Sequence, residues 1–98
     1  QNGYRGKQMN FICPTRGEDH EKDFLVMGKI DDVKIIVFSD MKNYNEGFEY
    51  LELADYKPCK VSIDLFKELS KNDDDFSGLI LDIHSKNKII SKDEILEL

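Results

Sequence analysis

The sequence predicts one small α/β domain, a mixed sheet flanked by about three short helices in the order β-β-β-α-β-α-β-β-α. Its 98 residues, 40% hydrophobic and 35% charged, suit a single folded domain with one core. Short apolar runs of strand length alternate with segments of helical periodicity. No segment repeats and the composition does not change along the chain. We therefore expect one domain over residues 9–98, preceded by a flexible arm over residues 1–8.

The first third of the domain predicts three strands. Residues 9–13 form an apolar run, which we expect Pro14 to stop because proline has no N–H for a strand ladder. Residues 24–30 and 33–39 are rich in β-forming side chains. Only Asp31 and Asp32 separate them, a spacing typical of a tight hairpin.

A helix and a further strand are predicted next. Ser39 or Asp40 can cap the helix, although Gly47 lowers its stability by up to ~1 kcal/mol relative to alanine. The strand covers residues 56–61, where Pro58 favours an edge or entry position. The apolar side chains that recur at helical spacing are Met41, Tyr44, Phe48 and Leu51.

The last third predicts a helix, two strands and a terminal helix. Ser62 caps the helix over residues 63–70. Gly78 precedes residues 79–83, a run apolar enough to be covered on both faces of a sheet. Residues 88–90 form the last strand. Ser91 and Glu94 then form a capping box, which predicts a helix to the end of the sequence.

The charge balance favours a protein partner. Twenty acidic and 14 basic side chains give a net charge of −6, and the basic residues are scattered among carboxylates. Nucleic acid and anionic membranes repel such a surface, whereas a basic protein is attracted to it. No apolar run approaches the ~20 residues of a transmembrane helix. No signal peptide is visible, so we expect a cytoplasmic location.

The two cysteines, Cys13 and Cys59, lie far apart in the sequence. A structural zinc site needs close cysteine pairs, which the sequence lacks. Thiols that act as small apolar side chains are the simplest interpretation. The alternative is a disulfide, which two strand cysteines could form if they face each other in an exported domain.

Two acidic segments are candidates for metal binding. Residues 73–80 begin like an EF-hand calcium loop, but His84 stands where the closing glutamate belongs. Residues 18–23 gather four carboxylates and His20. We expect both segments to be solvated loops, with a metal-dependent regulator or enzyme as the alternative.

The sequence predicts no enzyme. His84 has no nucleophile at motif spacing, and Ser39 lacks the glycines of a nucleophile elbow. No Gly-rich phosphate loop occurs either. We therefore predict no catalytic, cofactor-binding or metal-ligating residues.

A protein-interaction surface is the remaining candidate site. Several aromatic side chains lie in or after the first helix, and they cannot all face one core. A tyrosine exposed among carboxylates would suit an interface. The predicted interaction residues are Tyr44, Glu46, Glu49, Tyr50, Glu52, Asp73, Asp74 and Asp75.

Five segments carry a family resemblance, and they are residues 11–14 (FICP), 36–40 (IVFSD), 61–65 (VSIDL), 78–82 (GLILD) and 90–95 (ISKDEI). In this order they resemble the SseB protein N-terminal domain family. Its members have a first strand ending in proline, a strand-to-helix turn, and a Gly-led apolar strand followed by a capped C-terminal helix. The resemblance covers residues 9–98 and implies a bacterial α/β domain used in interaction or regulation, with no cofactor or reaction.

Together these observations predict a non-enzymatic bacterial protein-interaction or regulatory domain of SseB-like type. A narrower alternative is an immunity protein that neutralises a toxin through its acidic face. The sequence predicts neither the partner's identity nor an oligomeric state.

Overall fold

The computed structural model describes residues 9–17 and 23–98, which form a small α/β domain. The flexible arm expected at residues 1–8 lies outside these residues. The longest described helix has 11 residues, and no helix in the described part is long and apolar enough to cross a membrane. The elements are β1 (Asn10–Arg16), β2 (Asp23–Phe24), β3 (Val26–Lys29), β4 (Asp32–Val37), α1 (Met41–Leu51), β5 (Lys57–Ser62), α2 (Ile63–Asn72), β6 (Phe76–Leu81), β7 (Lys88–Ser91) and α3 (Lys92–Glu97).

The strands form two connected sheets, where the sequence predicted one. Antiparallel strands in the order β2-β1-β5 make the first sheet, and β3-β4-β6-β7 make the second, with β4 and β6 parallel. The strand predicted over residues 24–30 is divided at Leu25. The Leu25 N–H donates to Pro14 O of the first sheet, and Leu25 O accepts from Ile36 N of the second. A β-bridge between Ile12 and Phe38 also joins the sheets.

Pro14 does not stop the first strand, so that prediction was wrong. It lies inside β1, directly opposite Pro58 of β5. The Pro14 carbonyl accepts the Leu25 N–H, so this residue directs its backbone groups away from β5. Its missing N–H therefore costs no bond between β1 and β5. Strand β5 lies at the edge of its sheet, which confirms the edge position predicted from Pro58.

The helices cover opposite faces of the four-stranded sheet. Along β4, Ile35 and Val37 pack in the apolar cluster that contains side chains of α2 and α3. Ile36, between them, packs in a second cluster with Tyr44 of α1. Successive strand side chains alternate between faces. Helix α1 therefore lies on one face, and α2 with α3 on the other.

The helix caps agree with the predictions from sequence. Asp40 accepts the Asn43 N–H at the start of α1, and Ser62 accepts the Asp64 N–H at the start of α2. Ser91 and Glu94 form the predicted capping box of α3. Each side-chain oxygen satisfies a backbone donor that has no partner within the helix.

Gly47 is required by packing, although it weakens α1 as a helix former. A Cβ atom at this position would overlap Cε1 and Cζ of the Phe38 ring. Phe38 is fully buried and cannot move into solvent. The close approach of α1 to the sheet therefore depends on the absence of a side chain at Gly47.

We predict that Gly47→Ala destabilises the domain by about 1–3 kcal/mol, because overpacking outweighs the gain in helix propensity. Urea denaturation measures the change. Asn45→Ala, at an exposed position of the same helix, is the control and should stay within about 0.5 kcal/mol of the wild type. A stabilised Gly47→Ala protein would contradict the packing argument.

Candidate functional site

The structure separates the predicted interaction residues into two surfaces. Helix α1 carries four of them on one face of the sheet, and Glu52 is the C-cap that follows it. The other three, Asp73–Asp75, follow α2, which packs on the opposite face. The two groups therefore cannot form one continuous binding patch.

Tyr44 belongs to neither surface, so its prediction as an interaction residue was wrong. Only 2% of its surface is exposed, and its ring packs edge-on against Phe38 with centroids 5.6 Å apart. Its hydroxyl is buried without a hydrogen-bond partner among the described residues. Desolvation raises the pKa of this hydroxyl, which keeps it neutral.

The outer surface of α1 is exposed and acidic. Glu46, Glu49 and the C-cap residue Glu52 are exposed, and Tyr50 in the same segment is 64% exposed. Glu46 Oε1 lies 3.0 Å from Nε2 of His84, so one of these carboxylates is already engaged with the loop after β6. Tyr50 remains as an exposed aromatic side chain among acidic groups.

A groove lies on the other face of the sheet, between α2 and strands β3 and β4. Its volume is about 400 Å³. Val26, Val33 and Ile35 line it from the strands, and their register places them on one face. Leu65 and Leu69 line it from the helix. We call this concavity the α2–β3 groove.

Several apolar side chains at the α2–β3 groove are exposed. Ile30 is 86% exposed, Val26 47% and Leu65 40%. Beneath them Ile35 and Phe76 are buried and belong to the core. The groove therefore joins an exposed apolar rim to the hydrophobic interior, as small-molecule and peptide sites commonly do.

Two of the predicted acidic residues, Asp73 and Asp75, lie at the α2–β3 groove. Asp73 Oδ1 accepts the Asp75 N–H at 3.0 Å, and Asp75 O accepts the Val33 N–H at 2.8 Å. These bonds hold the turn that connects α2 to β6. The turn therefore fixes two carboxylates beside an apolar concavity, while Asp74 is exposed in the same turn.

Sequence reasoning missed the apolar part of this site. It placed Ile30 at the end of a strand, whereas the structure places it in the turn between β3 and β4. An isoleucine beside Asp31 and Asp32 in a tight turn is an available signal, since turns favour polar residues. The contribution of Leu65 could not be inferred, because it depends on how far α2 lies from β3.

A buried carboxylate lies at the carboxyl end of β6, at the other end of this strand from the Asp73–Asp75 turn. Asp82 follows β6, is fully buried and has a left-handed backbone with φ 50°. Its carboxylate accepts the Ser39 N–H at 3.0 Å and the Ser39 hydroxyl at 2.8 Å. The Ser39 oxygen in turn accepts from Asn43 Nδ2. Asp82 thus ties the end of β6 to the start of α1.

The described residues show no metal-binding cluster. Residues 9–17 and 23–98 contain no group of three histidine, cysteine, aspartate or glutamate side chains that could hold an ion. Most of the acidic segment at residues 18–23 lies outside the described residues. The Asp73–Asp75 turn is held by Asp73 Oδ1, which accepts the Asp75 N–H, and by Asp75 O, which accepts the Val33 N–H.

Comparison with known proteins identifies no relative. No protein-family model matches the chain, and neither a curated protein nor a solved structure matches it.

We predict that Asp82→Ala lowers the free energy of unfolding by about 3 kcal/mol, because it removes the buried carboxylate that accepts both the N–H and the hydroxyl of Ser39. Urea denaturation of Asp82→Ala, Ser39→Ala and the double variant provides the measurement. Because the two residues share hydrogen bonds, their effects should differ from additivity by at least ~0.5 kcal/mol. Additive effects would show that the pair does not act as a clamp.

Proposed function

We propose that this chain is a non-enzymatic bacterial protein-interaction domain of SseB-like type, and that the α2–β3 groove is its binding site. The observation that carries this proposal is the presence of an apolar concavity with two aspartates, Asp73 and Asp75, at its margin. The sequence resemblance to the SseB N-terminal domain supports the same class of function.

The shape of the groove suits a segment of another protein. A volume of about 400 Å³ accommodates a few apolar side chains and lies in the range of ligand pockets. Ile30 and Leu65 would lose exposed apolar surface on binding, and each Å² buried contributes about 25 cal/mol. Such partly exposed apolar side chains around a concavity are typical of interface anchors.

Charge defines the chemistry of the partner. Asp73 and Asp75 are exposed carboxylates, and the chain carries a net charge of −6. A partner segment with apolar side chains next to lysine or arginine would place its cations near these aspartates. Complementary charges raise association rates and exclude acidic competitors.

The outer surface of α1 supports a second candidate function, an immunity protein that blocks a basic toxin. The observation in its favour is the exposed Tyr50 in a segment that also exposes Glu46, Glu49 and Glu52. Tyrosine is a common interface anchor, and acidic side chains around it complement a basic surface. This surface lies on the other face of the sheet from the groove, so substitutions separate the two functions.

We predict that Ile30→Glu reduces partner binding at least tenfold, because it places an unpaired charge in the apolar contact. A displayed peptide library enriched in apolar and basic residues supplies the ligands, and titration of the selected peptide measures affinity. Met27→Glu is the matched control. Met27 lies in β3, just before Ile30, and is 48% exposed but does not line the groove.

Two outcomes would contradict groove binding. Equal loss of affinity in Ile30→Glu and Met27→Glu would indicate a general effect of added charge. Peptides that bind Ile30→Glu normally but lose affinity for Tyr50→Ala would show that the binding site is on α1, which favours the immunity function.

We predict that the double variant Asp73→Asn, Asp75→Asn binds the selected peptide several-fold more weakly and with a smaller dependence on salt. Titrations at low and high ionic strength give both quantities. Asparagine keeps the side-chain oxygen that accepts the Asp75 N–H, so the free energy of unfolding should change by less than about 1 kcal/mol. An unchanged salt dependence would exclude these aspartates from binding.

A further inference from the structure

Cys13 and Cys59 lie directly opposite each other on neighbouring antiparallel strands. The register of β1 and β5 pairs their Cα atoms. Opposed residues in an antiparallel ladder have Cα atoms about 4.5 or 5.5 Å apart. A disulfide needs a Cα separation of about 4.4–6.8 Å, so the backbone already satisfies this requirement.

The backbone hydrogen bonds identify the type of pair. Ile12 exchanges two hydrogen bonds with Phe38, and Pro14 O accepts from Leu25, so both residues direct their backbone groups away from β5. Cys13, between them, directs its own groups toward β5. Cys13 and Cys59 therefore form a hydrogen-bonded pair, the type with the wider spacing of about 5.5 Å.

Both side chains lie on the same side of the ladder. Cys13 belongs to the core cluster beneath α2, and Cys59 packs against that cluster. Cys13 is fully buried, whereas Cys59 is half-buried at the edge strand β5. An external oxidant can therefore approach Cys59, while Cys13 is held next to it.

We propose that Cys13 and Cys59 are a redox-active pair of thiols. Low-molecular-weight disulfides oxidise this pair to an intramolecular disulfide. The Cys59 thiolate attacks one sulfur of the small disulfide, forms a mixed disulfide and releases one thiolate. Cys13 then loses its proton, and its sulfur attacks Cys59 Sγ. This second step releases the other small thiol, which takes up the proton. Two protein thiols are oxidised and the small disulfide is reduced to two thiols.

The environments of the two thiols set the order of these steps. Burial, with an added contribution from Cys59, raises the pKa of Cys13 well above its usual range. Cys13 is therefore a poor first nucleophile and is protected from external reagents. After Cys59 is modified, the reaction becomes intramolecular, and the fixed register supplies a high effective concentration of the second thiol.

The bond would tie the first sheet together across a long chain segment. Residues 14–58 lie between the two cysteines and include β2, β3, β4 and α1. A crosslink that closes such a loop restricts the unfolded chain. Neither cysteine lines the α2–β3 groove, so oxidation of the pair can be measured without the proposed binding partner.

The test is incubation of the reduced, folded protein with increasing ratios of oxidised to reduced glutathione. We expect an intramolecular disulfide, shown by a loss of about two hydrogen masses and by a linked peptide pair containing Cys13 and Cys59 under non-reducing conditions. The melting temperature should rise by about 10 °C or more and return on reduction.

Cys13→Ala and Cys59→Ala are the matched variants. We expect Cys13→Ala to accumulate the glutathione adduct at Cys59, whereas Cys59→Ala should react far more slowly. A wild-type protein that stops at the mixed disulfide, forms only intermolecular dimers, or melts at a lower temperature after oxidation would overturn the proposal.

Discussion

The parallel pairing of β4 with β6 is the contact on which the rest of the structure depends. These strands are neighbours in the four-stranded sheet, and each strand has buried side chains on both faces of the sheet. Ile35 and Leu79 pack under α2 and α3, while Ile36 packs on the side of α1. Parallel neighbours require a long crossover connection. The path from β4 to β6 contains α1, β5 and α2, so this pairing determines where those elements lie.

The two ends of this strand pair have different roles. At the carboxyl end, Asp82 is buried and binds Ser39, which fixes the start of α1. At the amino end, the Asp73–Asp75 turn binds Val33 through the Asp75 carbonyl and places two carboxylates beside the α2–β3 groove. Hydrogen bonds to a buried carboxylate thus stabilise one end, whereas the carboxylates of the other end are exposed.

Strand β1 links the two sheets and accounts for features that looked unfavourable in the sequence. Pro14 is tolerated because its backbone groups face away from β5, toward Leu25. The same register places Pro14 opposite Pro58 and Cys13 opposite Cys59. A proline inside a strand and two cysteines far apart in sequence therefore have one explanation, the pairing of β1 with β5.

The sequence by itself determined the α/β class, the order of most elements, the helix caps and the edge position of Pro58. These features depend on local periodicity and on hydrogen bonds between residues a few positions apart. Tertiary structure alone decided the division of the sheet at Leu25, the burial of Tyr44, the need for Gly47 and the groove between Leu65 and Ile30. Each depends on contacts between residues distant in sequence, which a local pattern does not contain. The Asp73–Asp75 turn depends on both, because its acidic residues were evident in the sequence, whereas only the tertiary structure placed apolar side chains beside it.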